Sequence, residues 1–160
     1  VYDVFDRVKE ILVSELAAAT MIDIARVAHP LEAGGILVGV HSDRTPWVTH
    51  ALQIPSSDTG PAHYVVPAGI TRWLVRCARQ MDPRIGYMGE WHVHPADVGP
   101  SPTDVRTMRG VSKAQEESHP LLIVVRRKSL DHYLDARQLF WGRLRKLEIV
   151  LCGGLEPIKE

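Results

Sequence analysis

Three short segments of this 160-residue chain carry side chains that could act together on one bond. Glu32 leads into Ala33-Gly34-Gly35, His92-Val93-His94-Pro95 sets two imidazoles one residue apart, and Ser101-Pro102-Thr103-Asp104 supplies a hydroxyl and a carboxylate. His92, His94 and Asp104 are three candidate ligands for a divalent cation. Zinc is the metal whose catalytic sites combine three such protein ligands with a fourth position left to water. Ser101 adds a hydroxyl beside that site and Glu32 a spare carboxylate, so the chemistry on offer is hydrolysis by an activated water.

Each piece alone has a plainer explanation. Ser101 to Asp104 is a helix start, with Ser101 as N-cap, Pro102 preset in the first turn and Asp104 at the capping-box position. That role is compatible with metal binding, because a helix start can fix the direction of a carboxylate whose outer oxygen faces an ion. In a chain with eight histidines, a His-x-His pair can arise by chance. Glu32 alone reads as a surface carboxylate, and Gly34 and Gly35 suit either a close backbone approach or a plain strand entry. Asp97, in the loop before Ser101, competes as a ligand. His29, His41, His50, His63, His119 and His132 lie outside the pattern and read as ordinary surface or core residues. The joint occurrence of Glu32, His-x-His and Ser-x-x-Asp carries the inference.

The elements that must hold these groups follow from periodicity. Residues 84–94 read as a strand, on which alternation puts His92 and His94 on one face and turns Trp91 to the other. A helix opens at Ser101 and runs towards His119-Pro120. Apolar residues at three- and four-residue steps predict helices over 17–28, stopped by Pro30, and 70–81, stopped by Asp82-Pro83. Ile36 to Val40, Val48 to Ile54, Leu121 to Val125, Leu134 to Phe140 and Leu144 to Leu151 read as strands, and 55–61 as loop. Residues 1–16 fit either a helical face or a strand beginning at Ile11. Helices interspersed among strands, with late strands in succession, predict an α/β fold whose mixed β-sheet is flanked by helices.

Length predicts a single domain over 1–160. Nineteen basic residues offset nineteen acidic ones, so the chain lacks the one-sided charge that drives non-specific binding to nucleic acid or anionic membranes. Charges at Asp3, Asp6, Arg7, Lys9 and Glu10 interrupt any signal-peptide core. No apolar stretch approaches the roughly 18 to 20 residues of a membrane span. Cys77 and Cys152 are far apart in apolar surroundings and read as buried free thiols, consistent with a reducing, cytoplasmic setting.

Taken together these residues resemble the prokaryotic type of the JAMM or MPN zinc metalloproteases, a family that includes deubiquitinating isopeptidases. Its signature is an upstream Glu, then His-x-His, a spacer and Ser-x-x-Asp. The resemblance extends to Glu32-Ala33-Gly34-Gly35-Ile36-Leu37-Val38-Gly39 and to Gly89-Glu90-Trp91 before the histidines, covering about residues 11–151. Two departures stand out: the spacer Pro95 to Pro100 is one residue shorter than the family's usual one, and Val93 replaces the common Ser or Thr.

The resemblance implies an MPN (cytidine deaminase-like) fold, one catalytic Zn2+ on His92, His94 and Asp104, Glu32 as general base then acid, and Ser101 as oxyanion donor. It also implies a substrate class, the bond after the C-terminal tail of a ubiquitin-like or sulfur-carrier protein. Activating- and conjugating-enzyme-like proteins of a bacterial conjugation system would be its partners. Little chain separates the Asp104 helix from the Leu121 strand, which argues against the inserted segment of chain-selective eukaryotic members. The oligomeric state is left open. The alternative is a non-catalytic MPN scaffold or interaction module, whose members characteristically lose ligands that are all present here. A zinc nucleobase deaminase would need Pro-Cys-x-x-Cys, and neither Cys77 nor Cys152 has a partner at that spacing.

Overall fold

The computed structural model describes residues 9–41, 45–55, 59–60, 63–64 and 69–158. Among them the chain runs β1 (Glu10–Ser14), α1 (Glu15–Ala28), β2 (Gly34–Val40), β3 (Trp47–Gln53), β4 (Thr59–Gly60), β5 (His63–Tyr64), α2 (Ile70–Met81), β6 (Gly86–Val93), α3 (Pro102–Ala114), β7 (Leu121–Lys128), β8 (Asp131–Phe140) and β9 (Arg143–Cys152). The predicted α2 matches its observed span. β4 falls inside the segment expected to be loop, and α3 stops several residues short of His119. Val1 to Val8, the first half of the ambiguous opening, lies outside the described residues.

The mixed sheet forms, but it is not open between helical layers. Seven strands close into a barrel in the order β1-β3-β2-β6-β7-β8-β9. Closure comes from β1, which runs parallel to both β3 and β9, with Leu12 opposite Trp47 and also opposite Val150. The physical reason is that Ile11-Leu12-Val13 is a buried strand rather than part of a helix, and a strand seated between two others leaves no free edge there.

Closure divides the apolar residues into one interior and two outer clusters. All seven barrel strands and α1 contribute to the interior, including Ile11, Met21, Leu37, Trp91, Ile123 and Leu147. Thus α1 packs on the inner face, its Ala-rich stripe bringing backbone close to strands. Ser14 starts it by accepting from the Ala17 N–H, and Pro30 follows its end. Trp91 is fully buried, as alternation requires, and its Nε1 donates to the Leu52 carbonyl at 3.2 Å. Outside, α2 covers Ile36, Val38 and Ile85, while α3 lays Met108 on Leu122, Val124 and Leu139. The helices therefore flank the sheet on two outer faces and fill it on the third.

Backbone crowding explains two glycines. A Cβ on Gly35 would sit 1.7 Å from the Leu52 carbonyl oxygen, so this residue serves the close approach of β2 to β3. Gly89 has φ +154°, and a Cβ there would meet the Leu121 oxygen at 2.0 Å. It lies beside the register shift between β2 and β6, just before the histidine pair. Cys77 and Cys152 are free but only half-buried, so the expectation of buried thiols is corrected. No helix among the described residues is long and apolar enough to cross a membrane.

Candidate metal centre

β6, α3 and β7 form a strand–helix–strand unit whose two strands are parallel, with His92 beside Val124. Ligand sites in such units gather where the strands end and the following helix begins. His92 and His94 stand at the end of β6, and Asp104 lies in the first turn of α3.

The three side chains converge. His92 Nε2 lies 2.9 Å from His94 Nε2, while the Asp104 carboxylate approaches His92 Nε2 at 3.4 Å and His94 Nε2 at 3.6 Å. Zinc bonds of about 2.0–2.1 Å in a tetrahedron would set ligand atoms about 3.3–3.4 Å apart. The observed edges bracket that spacing, so the donor set fits a zinc ion by size as well as by chemistry. It is the one such group of three or more ligating side chains among the described residues.

Local interactions aim each donor. The His94 Nδ1–H donates to the Val98 carbonyl at 2.9 Å, a tautomer that leaves the Nε2 lone pair for a metal. Asp104 closes a capping box: its Oδ2 accepts from the Ser101 N–H at 2.6 Å, and the Ser101 Oγ accepts from the Asp104 N–H at 3.1 Å. Helix cap and candidate ligand thus coexist in one carboxylate. Burial pushes the Asp104 carboxyl up, but its bond and charge interaction with His92 and the Ser101 donors outweigh that and hold it down at about 2. Burial lowers the His94 imidazole, with the Val98 bond and Asp104 pulling the other way. Both shifts favour the unprotonated forms that metals bind.

Glu32 lies two residues before β2, the strand that pairs with β6. Gly34 pairs with His92 in the antiparallel register, and the Val93 N–H donates to the Ala33 carbonyl at 2.8 Å. Continued two residues beyond the end of β2, that register would bring Glu32 level with His94. Ser101 is half-buried at the start of α3, and its accepting hydroxyl keeps its own proton to donate. Asp97 is not part of the cluster: it accepts from Tyr133 Oη at 2.5 Å and from Arg126 Nε at 3.1 Å.

Two neighbours of the cluster stand out. Val98 acts through its backbone carbonyl, which no residue type announces. Glu90 occupies the ligand face of β6, and burial raises its carboxyl to about 7 against the opposing charge of His92.

A family model described as prokaryotic homologs of the JAB domain matches residues 14–140, a span that holds Glu32, both histidines, Ser101 and Asp104. A solution structure of protein DSY2949 from Desulfitobacterium hafniense is similar in fold. The TM-score is 0.69 at 20% identity, over 91% of this chain and 95% of that one. No curated protein matches the chain.

Proposed function

Because the chain belongs to the family of prokaryotic homologs of the JAB domain, we propose that it is a zinc-dependent peptidase or isopeptidase. Its substrate would be the bond after the C-terminal tail of a ubiquitin-like or sulfur-carrier protein. The observation that carries the reading is the convergence of His92, His94 and Asp104 at zinc spacing. A non-catalytic module has no need to hold two imidazoles and a carboxylate at such distances.

His92, His94 and Asp104 would hold the zinc ion, which would supply the Lewis acidity that lets a water give up its proton near neutral pH. Glu32, in the segment that leads into β2, takes a proton from the attacking water and delivers it to the departing amine nitrogen. The Ser101 hydroxyl donates to the scissile carbonyl oxygen as negative charge develops there. Its acceptor bond from the Asp104 N–H fixes the oxygen and leaves that proton to donate. Cys77 and Cys152 take no part, since the scheme forms no acyl-enzyme.

The test is cleavage of a ubiquitin-like protein fused to a peptide, and of the same modifier joined to a lysine side chain. Activity should disappear with a chelator and return with added zinc. Preference between the two substrates separates precursor maturation from removal of a modifier from its target. A well-folded preparation that binds no zinc would replace this reading with the scaffold.

A further inference from the structure

The spacer between the two halves of the metal motif has no regular structure, yet it is tied down along its length. The anchors of Ala96 and Asp97 come from β7 and β8. The Arg127 N–H donates to the Ala96 carbonyl at 3.3 Å. Arg126 donates from Nη2 to the Asp97 carbonyl at 3.2 Å and from Nε to the Asp97 carboxylate at 3.1 Å. Tyr133 donates to that same carboxylate oxygen at 2.5 Å, and its ring lies 5.4 Å from the Arg126 guanidinium carbon. Gly99 lies against the same guanidinium, for a Cβ there would meet Arg126 Nη1 at 3.2 Å.

Arg126 is fixed from behind as well. Its Nη1 donates to Asp135 Oδ2 at 2.8 Å, and Arg137 donates to Asp135 Oδ1 at 2.7 Å and Oδ2 at 3.1 Å. Asp135 is only 2% exposed, and a carboxylate so buried is strongly committed to its partners. Register places it two strands from the centre in one row: His92 pairs with Val124, and Val124 with Asp135. The planar fork of Arg126 therefore joins a rigid strand behind it to the loop in front.

That loop carries Val98, whose carbonyl takes the His94 Nδ1–H. A neutral imidazole with its proton on Nε2 offers no lone pair there to a metal, so the Val98 acceptor, by holding the proton on Nδ1, favours the tautomer in which His94 can ligate through Nε2. We propose that Asp97, Arg126 and Asp135 are positioning residues: a clamp that holds the shortened spacer so that Val98 keeps the His94 Nε2 lone pair aimed at the metal. The inference rests on the zinc reading above and extends it two strands away from the ligands.

Asp97 is more than one-third exposed, which makes it the variant least prone to disturb folding. In Asp97→Ala, zinc affinity measured by chelator competition should fall about ten- to a hundredfold. Nitrogen NMR of the metal-free protein should show His94 passing from one tautomer to a mixture. Arg126→Lys, which keeps the charge but loses the fork, should do the same. Asp97→Asn, which retains an acceptor oxygen, should recover part of the affinity, and Tyr133→Phe should lose less than Asp97→Ala. A folded Asp97→Ala protein with wild-type zinc affinity and an unchanged His94 tautomer would overturn the clamp while leaving the metal centre intact. Failure of the wild-type protein to bind zinc would instead overturn the reading beneath it.

Discussion

Two helices of this protein start on a serine that caps by the same bond, and the two starts differ in what else that serine can do. Ser14 is buried in the barrel: it accepts from the Ala17 N–H and gives its own proton to the Thr49 carbonyl at 2.6 Å. Both of its capacities are used to fasten α1 to β3. Ser101 accepts from the Asp104 N–H in the same way, but it stands half-exposed beside two histidines and a carboxylate. What separates the two caps is therefore the destination of the hydroxyl proton and the chemistry of the third helical residue. Ala17 offers no chemistry there, and Asp104 does.

The comparison is broken most severely at that third residue. Asp104→Ala should abolish both zinc binding and turnover, read by metal content and by peptide release. Next comes Glu32→Gln, which should retain zinc and lose about 10²- to 10⁴-fold in kcat; wild-type turnover in that variant would remove Glu32 from the mechanism. Ser101→Ala should reduce kcat about 10²-fold at saturating zinc and destabilise the fold by about 1 kcal/mol. Equal turnover would show that the shorter spacer has displaced its hydroxyl from the reacting carbonyl.

Ser14→Ala sharpens the contrast from the other side. It should cost about 1–3 kcal/mol in denaturant unfolding, through the lost cap and the bereft Thr49 carbonyl, with kcat per folded molecule unchanged. The smallest effect is reserved for acid. The folded Asp104 carboxyl is depressed from 3.8 to about 2, so its contribution to stability is complete above pH 3.8 and is lost as pH falls through about 2. Amide protection in the metal-free protein should therefore fall across that window at Ser101, whose N–H the Asp104 carboxylate accepts, whereas Ala17, held by the uncharged Ser14 hydroxyl, should not respond to this titration.

Local chemistry was readable in the sequence because it is written within a few residues. The Ser101 capping box needs only Ser, Pro and Asp at fixed offsets, and the shared face of His92 and His94 needs only strand alternation. The spacing of Ile70, Trp73, Leu74 and Cys77 marked out α2 for the same reason. What escaped was long-range. Ile11-Leu12-Val13 is too short a run to choose between helix and strand, and the choice is made by Trp47 and Val150 on strands far along the chain. Arg126 and Asp135 look like ordinary surface charges, and Asp97 like a competing ligand, until β7 and β8 place the three together. The half-burial of Cys77 and Cys152 likewise depends on which faces the closed sheet leaves outside.

The pairing of Glu10 with Glu148 has a kinetic side. Contacts between residues so distant in sequence form late, because the loop they enclose loses much of its freedom before any bond rewards it. The β6–α3–β7 unit can assemble from nearby residues, but the ring around it must await β9. During synthesis the chain would thus carry its two histidines and Asp104 in order well before its wall is sealed, and β9 would convert an open, adhesive sheet into a finished vessel.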